Sequence, residues 1–238
     1  RRLSVQERYV ILARVCKRRT IRCTGGLMLV RDCMTRNPVT VRPASDPVAG
    51  MMLLRSGRFR HLPVISDEGH LVGIVDRDDL ALFLSKAGSP GVTKRQHRID
   101  QVMVRDVATV PPDCPLEEAA ARMVARKVGS LPVVEAGQLV GIITETDLFQ
   151  QFAAALGGGS DSLRLTVQVE DSPGQLAEVA GRIAGVQGNI CSVVAYNAGQ
   201  PGRINITLRV EGAEREIVLG ALSDLAGLDL LHTWDCDG

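Results

Sequence analysis

Two stretches of the chain follow the same order of apolar and polar positions. They run from Val30 to Leu80 and from Ile99 to Leu148, and equivalent residues such as Pro63 and Pro132 lie 69 positions apart. A sequence that repeats itself at a fixed spacing usually contains one structural unit used more than once. The spacing therefore predicts two copies of a single fold unit.

Each copy predicts a short strand, an amphipathic helix, a two-stranded hairpin and a second helix. Runs of Val, Ile and Leu flank the tight turns Asp67–Gly69 and Ala136–Gly137, which predicts the hairpins. Short apolar segments at Val39–Val41 and Ala108–Val110 predict the leading strands. In the second copy, apolar residues recur at the spacing of one helical face, namely Leu116, Ala119, Ala120, Met123 and Val124.

The pattern changes after Gly157–Ser160, whose composition predicts a flexible linker. Leu163–Glu170 alternates apolar and polar residues and predicts a half-buried strand. A helix after Ser172–Gly174, two strands, another helix and a last strand complete the order βαββαβ, which is the ferredoxin-like plan. The predicted fold class is therefore α/β (α+β), with two β-α-β-β-α repeats ahead of this domain.

The composition is that of a soluble globular protein, with 45% hydrophobic and 23% charged residues. No segment reaches the roughly 18 uninterrupted apolar residues that a membrane-spanning helix needs. We therefore expect a cytoplasmic protein with no membrane partner. The six cysteines form no CxxC pair, which favours neither a metal site nor a disulfide framework.

Charge is distributed unevenly along the chain. Residues 1–26 carry eight Arg or Lys and one Glu, a net charge of +7, and the rest of the chain carries −6. A basic leader could be a nucleic-acid arm or a targeting segment. We expect residues 1–27 to be a basic N-terminal extension without a folded role, and we do not expect nucleic acid as a partner.

Both copies contain an LPV strand followed by a glycine, two apolar residues and, after three more positions, Asp-Leu. The first reads HLPVI…GIVDRDDL and the second reads SLPVV…GIITETDL. This motif and the order of its elements resemble the CBS domain, and the tandem resembles the Bateman module. The resemblance implies a CBS pair over residues 28–156, with repeat 1 at about 29–87 and repeat 2 at about 99–153.

The segment DSPGQLAEVAGRIAGVQGNI, which begins at Asp171, resembles the ACT domain. In that family an Asp-x-Pro-Gly turn starts the first helix and Gly-Asn-Ile starts the second strand. The resemblance implies an ACT domain over residues 163–236. A CBS pair ahead of one ACT domain is similar to CBS–ACT proteins of the acetoin-utilisation type.

The CBS resemblance implies an adenine nucleotide (AMP, ADP or ATP) as a ligand rather than a catalytic cofactor. In the family, the first strand and the apolar residues near LPV hold adenine, and the Asp that opens the second helix binds ribose. Free N–H groups at this helix start would also attract phosphate. Alternatively, the Asp only stabilises the helix start. The matching residues of repeat 2 are Thr109, Val110, Leu131, Pro132, Ile143, Thr144 and Asp147.

Repeat 1 departs from the family pattern, because Asp76 replaces the usual Thr or Ser and Asp78 lies beside it. With Asp79, three carboxylates would repel a triphosphate unless Arg77 or a divalent cation such as Mg²⁺ compensates. A solvated charged edge is the alternative. The residues just ahead of LPV could instead contact the phosphate of a nucleotide shared with repeat 2. The candidates in repeat 1 are Thr40, Val41, Arg60, His61 and Asp79.

The ACT resemblance implies an amino-acid ligand, which the family holds between the ACT domains of two subunits. The turn Asp171–Gly174 precedes a helix whose first N–H groups could bind a carboxylate, and Asn189 could supply an amide. Alternatively, these residues only shape turns. The candidates are Asp171, Pro173, Gly174, Gln175, Leu176, Asn189 and Ile190.

No motif supports catalysis, since the sequence contains no GxSxG, HExxH, Walker or GxGxxG pattern. We therefore expect a homodimeric sensor that reports ligand levels to a regulated protein partner, rather than an enzyme. Two alternatives remain open. One is an assembly protein that binds no ligand, and the other is a nucleotide hydrolase in which Asp76, Asp78 and Asp79 hold a metal.

Overall fold

The computed structural model describes residues 28–87 and 97–235. The chain divides into two compact units, and the division falls between Phe149 and Gln150, inside a continuous helix. The first unit holds both repeats up to that point, and the second holds the predicted ACT domain. The basic segment 1–27 lies outside the described residues. Among the described residues, no helix has the length and apolar character needed to cross a membrane.

Both repeats contain the predicted hairpin and the predicted pair of helices. The elements of repeat 1 are α1 (Val30–Cys33), β1 (Thr35–Arg36), α2 (Pro47–Gly57), β2 (His61–Ile65), β3 (Leu71–Asp76) and α3 (Arg77–Ala87). The elements of repeat 2, after a 3₁₀ turn at Ile99–Gln101, are α4 (Leu116–Arg126), β4 (Ser130–Glu135), β5 (Gln138–Thr144) and α5 (Glu145–Ala155).

The leading strand predicted for each repeat is reduced to a single parallel bridge. Val41 pairs with Val64, and Val110 pairs with Val133. A proline follows each leading valine within two positions, and proline lacks the N–H that would extend the ladder. The predicted leading strands are therefore too long, although their last residues pair as expected.

The segment at the start of each repeat joins the sheet of the other repeat. Strand β1 pairs with β5, which places Thr35 opposite Ile142, and Val104 bridges Ile74 in the equivalent way. This backbone pairing is reciprocal, so the two repeats are joined in an arrangement close to a twofold relation.

The glycine that both motifs share permits this exchange. A Cβ on Gly73 would lie 2.7 Å from the sulfur of Met103, and one on Gly141 would lie 2.5 Å from the sulfur of Met34. No side chain fits at those distances, so glycine lets each methionine pack across the other repeat. Met103 and Ile99 accordingly belong to the buried cluster of repeat 1.

The second unit has the predicted ferredoxin-like order. The elements are β6 (Leu163–Glu170), α6 (Gln175–Gly185), β7 (Asn189–Asn197), β8 (Arg203–Glu211), α7 (Arg215–Ser223) and β9 (Asp229–Asp235). The four antiparallel strands lie in the order β7-β8-β6-β9, and the alternating apolar residues of β6 are buried with those of the two helices.

The segment predicted to be a flexible linker is instead an ordered helix end. Gly157 has a φ of 70°, and its N–H donates to Ala154 O at 2.9 Å, while the N–H of Gly158 donates to Ala153 O at 2.7 Å. This pair of bonds is the Schellman pattern that closes a helix. The prediction was wrong because glycine serves flexible linkers and left-handed helix ends equally well.

Candidate functional site

A cavity of about 300 Å³ opens between the two repeats. Repeat 1 contributes the residue ahead of β2 and the first residue of that strand. Repeat 2 contributes the end of α4, the loop that follows it and the first residue of α5. The lining residues are Arg60, His61, Met123, Val124, Lys127, Val128, Gly129 and Glu145.

Equivalent backbone bonds position the two walls of this cavity. The N–H of Arg77 donates to Arg60 O at 2.8 Å, and the N–H of Glu145 donates to Gly129 O at 3.1 Å. Each bond ties the start of a repeat's second helix to the residue before its first hairpin strand. Arg60 and Gly129 therefore occupy corresponding positions, and only repeat 1 supplies a cation there.

The cavity contains an ion pair that crosses from one repeat to the other. Arg60 Nη2 lies 3.7 Å from Glu145 Oε2, and both side chains are about half exposed. Lys127 adds a second cation at the end of α4, where its backbone is left-handed with a φ of 53°. Exposed ion pairs contribute little to stability, so these groups can exchange partners with a charged ligand at small cost.

His61 faces the cavity and also approaches a carboxylate of its own repeat. Its Nε2 lies 3.3 Å from Asp76 Oδ2. Burial lowers the pKa of His61 from its ordinary value of 6.5, and Arg60 acts in the same direction, while Asp76, Glu145 and Asp78 oppose the shift. The effect of burial on the pKa of His61 is larger than that of the carboxylates, so the imidazole is neutral at pH 7.

Thr144 and Asp147 cap each other at the start of α5. Asp147 Oδ2 accepts bonds from the Thr144 N–H at 2.8 Å and from the Thr144 hydroxyl at 2.7 Å. The N–H of Asp147 donates back to Thr144 Oγ1 at 3.4 Å. This is a capping-box arrangement, so Asp147 has a structural role at the start of its helix. A carboxylate has about four acceptor sites, so it can still bind a ribose hydroxyl.

Two N–H groups at the start of α5 already have hydrogen-bond partners. The N–H of Glu145 donates to Gly129 O, and the N–H of Asp147 donates to Thr144 Oγ1. A phosphate would have to displace these bonds to use these two N–H groups. The side chains of Arg60 and Lys127 are the available cations in the cavity.

The apolar candidates of repeat 2 are core residues rather than cavity lining. Leu131 and Ile143 are fully buried, Val110 is 2% exposed, and Pro132 is also buried. The carbonyl of Thr109 accepts a bond from Arg122 Nη1 at 2.7 Å. These residues support the strands beside the cavity, and they do not line it.

The candidate residues of repeat 1 also divide into those that line the cavity and those that do not. Arg60 and His61 line the cavity, whereas the half-buried Thr40, the buried Val41 and the exposed Asp79 do not. Thr40 and Val41 lie beside the buried start of the hairpin, because the N–H of Val41 donates to Pro63 O at 3.1 Å.

The sequence reasoning missed the cavity residues that carry no recognisable pattern. Lys127 is a single charge at a helix end, and Glu145 stands between the two motif residues Thr144 and Asp147. Gly129 could have been found, because it occupies the position of Arg60 in the other repeat. The other missed residues are Met123, Val124 and Val128.

The carboxylates of repeat 1 have local roles. Asp76 Oδ1 accepts the N–H of Asp78 at 2.6 Å, which caps α3, and its other oxygen faces His61. Asp78 Oδ1 accepts from Arg77 Nε at 3.3 Å. Across residues 28–87 and 97–235, no three His, Cys, Asp or Glu side chains are grouped so that they could hold a metal ion. The geometry therefore does not support the Mg²⁺ and hydrolase expectations.

The candidate amino-acid site of the second unit falls into two separate parts. Glu170, just before the predicted turn, pairs with Arg203 at one end of β8, whereas Asn189 pairs with Glu211 at the other end. Helix α6 separates the parts, and its 11 residues span roughly 16 Å. One chain therefore does not bring the two parts together.

The first part is an exposed turn at the start of α6. Gly174 is the N-cap, has a φ of 100° and provides no capping side chain. The residues in this part are the exposed Asp171, Pro173, Gly174 and Leu176 and the half-buried Gln175. The second part contains the exposed Asn189 and the half-buried Ile190.

Comparison with known proteins assigns both units. A CBS domain family model matches residues 30–86 and 99–154, and a TTHA0829-like ACT domain model matches residues 158–232. A CBS domain-containing protein of Dictyostelium discoideum is 30% identical over 128 residues, which are 51% of this chain and 88% of that protein. The chain belongs to the CBS-domain family. The predicted CBS pair followed by an ACT domain is confirmed.

Other relatives match the CBS pair in different contexts. Homoserine O-acetyltransferase of Methanococcoides burtonii is 34% identical over 120 residues, which are 50% of this chain and 23% of the enzyme. This chain thus spans about a quarter of that relative's length. A structure described as an acetoin utilization protein (AcuB) of Vibrio cholerae is 31% identical, covers 56% of this chain and 95% of its own, and has a TM-score of 0.49.

Proposed function

We propose that this CBS–ACT protein is a regulatory sensor that binds an adenine nucleotide in the cavity between its CBS repeats. The observation that carries the proposal is the convergence of both repeats on that cavity. Arg60 and His61 come from repeat 1, and Lys127 and Glu145 come from repeat 2. A ligand held there would contact both repeats and so favour one arrangement of the pair.

The size and chemistry of the cavity suit a mononucleotide. Its volume of about 300 Å³ lies at the lower end of the range of small-molecule sites. Met123, Val124 and Val128 supply an apolar wall for a base, and Arg60 and Lys127 supply cations for a phosphate. Asp147 does not itself line the cavity, but it lies in the first turn of α5, two residues beyond the lining residue Glu145, and it is the proposed ribose acceptor.

Mass spectrometry of the denatured, purified protein tests this function directly. We expect an intact adenosine compound to co-purify with the chain, and we expect the same compound to bind again in a calorimetric titration. Recovery of a hydrolysed nucleotide would favour the hydrolase alternative. The absence of binding by AMP, ADP, ATP and S-adenosylmethionine would favour an assembly role.

We further propose that the ACT domain binds an amino acid between the two subunits of a homodimer. The separation of the Asp171–Gly174 turn from Asn189 supports this arrangement, because a second subunit can supply the missing part. In this proposal the CBS pair extends over residues 28–156, the ACT domain over 163–236, and residues 1–27 lie outside both. The ligand signal would pass to a regulated protein partner.

Light scattering and amino-acid titration test the second proposal together. A mass of twice 25.6 kDa is expected at micromolar concentration. An Asp171→Ala variant mixed with an Asn189→Ala variant should form some dimers with one intact composite site, so the mixture should bind more amino acid than either variant alone. A monomeric protein, or a mixture that binds no better than its components, would contradict the proposal.

A further inference from the structure

Glu145 places a negative charge inside the proposed nucleotide site. Its side chain lines the cavity, and Oε2 lies 3.7 Å from Arg60 Nη2. The same oxygen is 3.3 Å from the position that a Cβ on Gly129 would occupy. The carboxylate therefore stands at the start of α5, beside the cation that a phosphate would seek.

The two repeats do not share an acidic residue at the position of Glu145. Arg77 occupies the corresponding place at the start of α3, and it makes the corresponding backbone bond. An acid in a first turn gains from the helix dipole, but Glu145 also faces a cation of the other repeat. The carboxylate thus contributes to the chemistry of the cavity as well as to its own helix.

The charge balance of the cavity limits how much negative charge it can accept. Its charged lining consists of Arg60, Lys127 and Glu145, together with His61. Burial lowers the pKa of His61, which leaves the imidazole neutral at pH 7. One carboxylate and two guanidinium or ammonium groups leave a formal surplus of a single positive charge. Each additional phosphate of a ligand would add repulsion from Glu145.

We propose that Glu145 makes the cavity selective for an adenosine ligand with no more than one phosphate. This inference rests on the proposed function of the cavity. A nucleoside monophosphate can pair with Arg60 and Lys127, whereas a triphosphate brings more negative charge than these two cations balance. Glu145 is then a specificity-determining residue, and its removal should favour the triphosphate.

Calorimetric titration of the full chain with AMP, ADP and ATP tests this selectivity. The buffer contains EDTA, because Mg²⁺ would neutralise part of the triphosphate charge. We expect the affinity of the wild type to fall from AMP to ATP by about tenfold or more, as for a repulsion between like charges in a partly exposed site. Glu145→Gln should narrow this difference by strengthening ATP binding more than AMP binding, and Glu145→Lys should narrow it further.

Glu135→Gln is the matched control. It removes an acid from the same repeat, but Glu135 pairs with Gln138 at the far end of the hairpin. This control should leave the ratio of the two affinities unchanged. Equal or tighter binding of ATP by the wild type, or an unchanged ratio in both Glu145 variants, would overturn the inference while leaving nucleotide binding intact. If none of the three nucleotides binds, the proposed function fails and the inference fails with it.

Discussion

Repeats 1 and 2 have the same backbone plan, yet they present different chemistry at corresponding positions. Gly73 and Gly141 make the same close approach to a methionine of the other repeat. At the cavity, by contrast, His61 corresponds to Ser130, and Arg77 corresponds to Glu145. The fold positions are therefore alike, whereas the site positions are not.

The helix starts show the same difference in detail. Thr144 and Asp147 form a reciprocal cap in repeat 2, whereas in repeat 1 Asp76 caps α3 and also faces His61. Ser130, the counterpart of His61, has a buried hydroxyl with no hydrogen-bond partner among the described residues. A shared fold thus constrains packing and pairing, and it leaves the polar groups at the helix starts free to differ.

The largest predicted effect tests the part of the comparison in which the repeats agree. Gly73→Val and Gly141→Val should each lower the free energy of unfolding by about 2 to 3 kcal/mol, because the new side chain collides with a methionine and with backbone. Urea unfolding followed by circular dichroism measures the loss. A large loss at only one of the two glycines would contradict the equivalence of the repeats.

Two controls make this measurement specific to the CBS pair. Gly181 lies in α6 with nothing within 4 Å of its Cβ position, so Gly181→Ala should be neutral or stabilising. The single Trp of the chain, Trp234, lies in the ACT domain. Its fluorescence transition should stay in place while the circular dichroism transition of the CBS pair shifts.

The next effect tests the part in which the repeats differ. Asp147→Ala should weaken AMP binding by about 1.5 to 3 kcal/mol, as for a lost hydrogen bond to a charged group. Asp79→Ala, the corresponding change in repeat 1, should have little effect, since Asp79 is exposed, whereas Asp147 is half-buried and lies two residues from the cavity residue Glu145. Calorimetry measures the AMP affinity of both variants. Equal losses of affinity would contradict the assignment of the ribose acceptor to repeat 2 alone.

Asp147→Ala also removes part of the cap of α5, which should cost about 1 kcal/mol of stability. Thermal unfolding of each variant separates this loss from the loss of affinity. Thr144→Ala provides a second control, because it disrupts the same cap and leaves the proposed ribose acceptor in place. It should therefore bind AMP better than Asp147→Ala does.

The smallest predicted effect is on the pH dependence of the stability of the protein. The pKa of His61 is lowered in the folded protein, so below its ordinary value of 6.5 the unfolded chain binds the proton more readily. The contribution of the neutral His61 to the free energy of unfolding is therefore complete above pH 6.5. It is lost as the pH falls toward the pKa that His61 has in the folded protein. His61→Ser gives repeat 1 the residue that repeat 2 has at this position, and it should reduce the loss of stability between pH 8 and 5.5. An identical loss in the variant would contradict this assignment.

The local pattern of apolar and polar residues was enough to predict most of the helices and strands and their order. The apolar runs around Asp67–Gly69 and Ala136–Gly137 predicted both hairpins, and the alternation of Leu163–Glu170 predicted β6 with the bounds that the structure shows. These predictions succeeded because the periods of strands and helices are local properties of the chain. The motifs around LPV and Asp-x-Pro-Gly also identified the two domain families.

The way in which distant segments meet could not be predicted from that pattern and became visible in the folded chain. The pairing of Thr35 with Ile142, and the cavity formed by Arg60, Lys127 and Glu145, join residues from different repeats. The local periodicity of the sequence does not indicate such contacts, because they form when the two repeats pack together and exchange their leading segments. The ordered helix end at Gly157 depends likewise on bonds that its composition does not specify. Local pattern thus determined the elements, and packing between the elements decided where charge and space coincide to form the site.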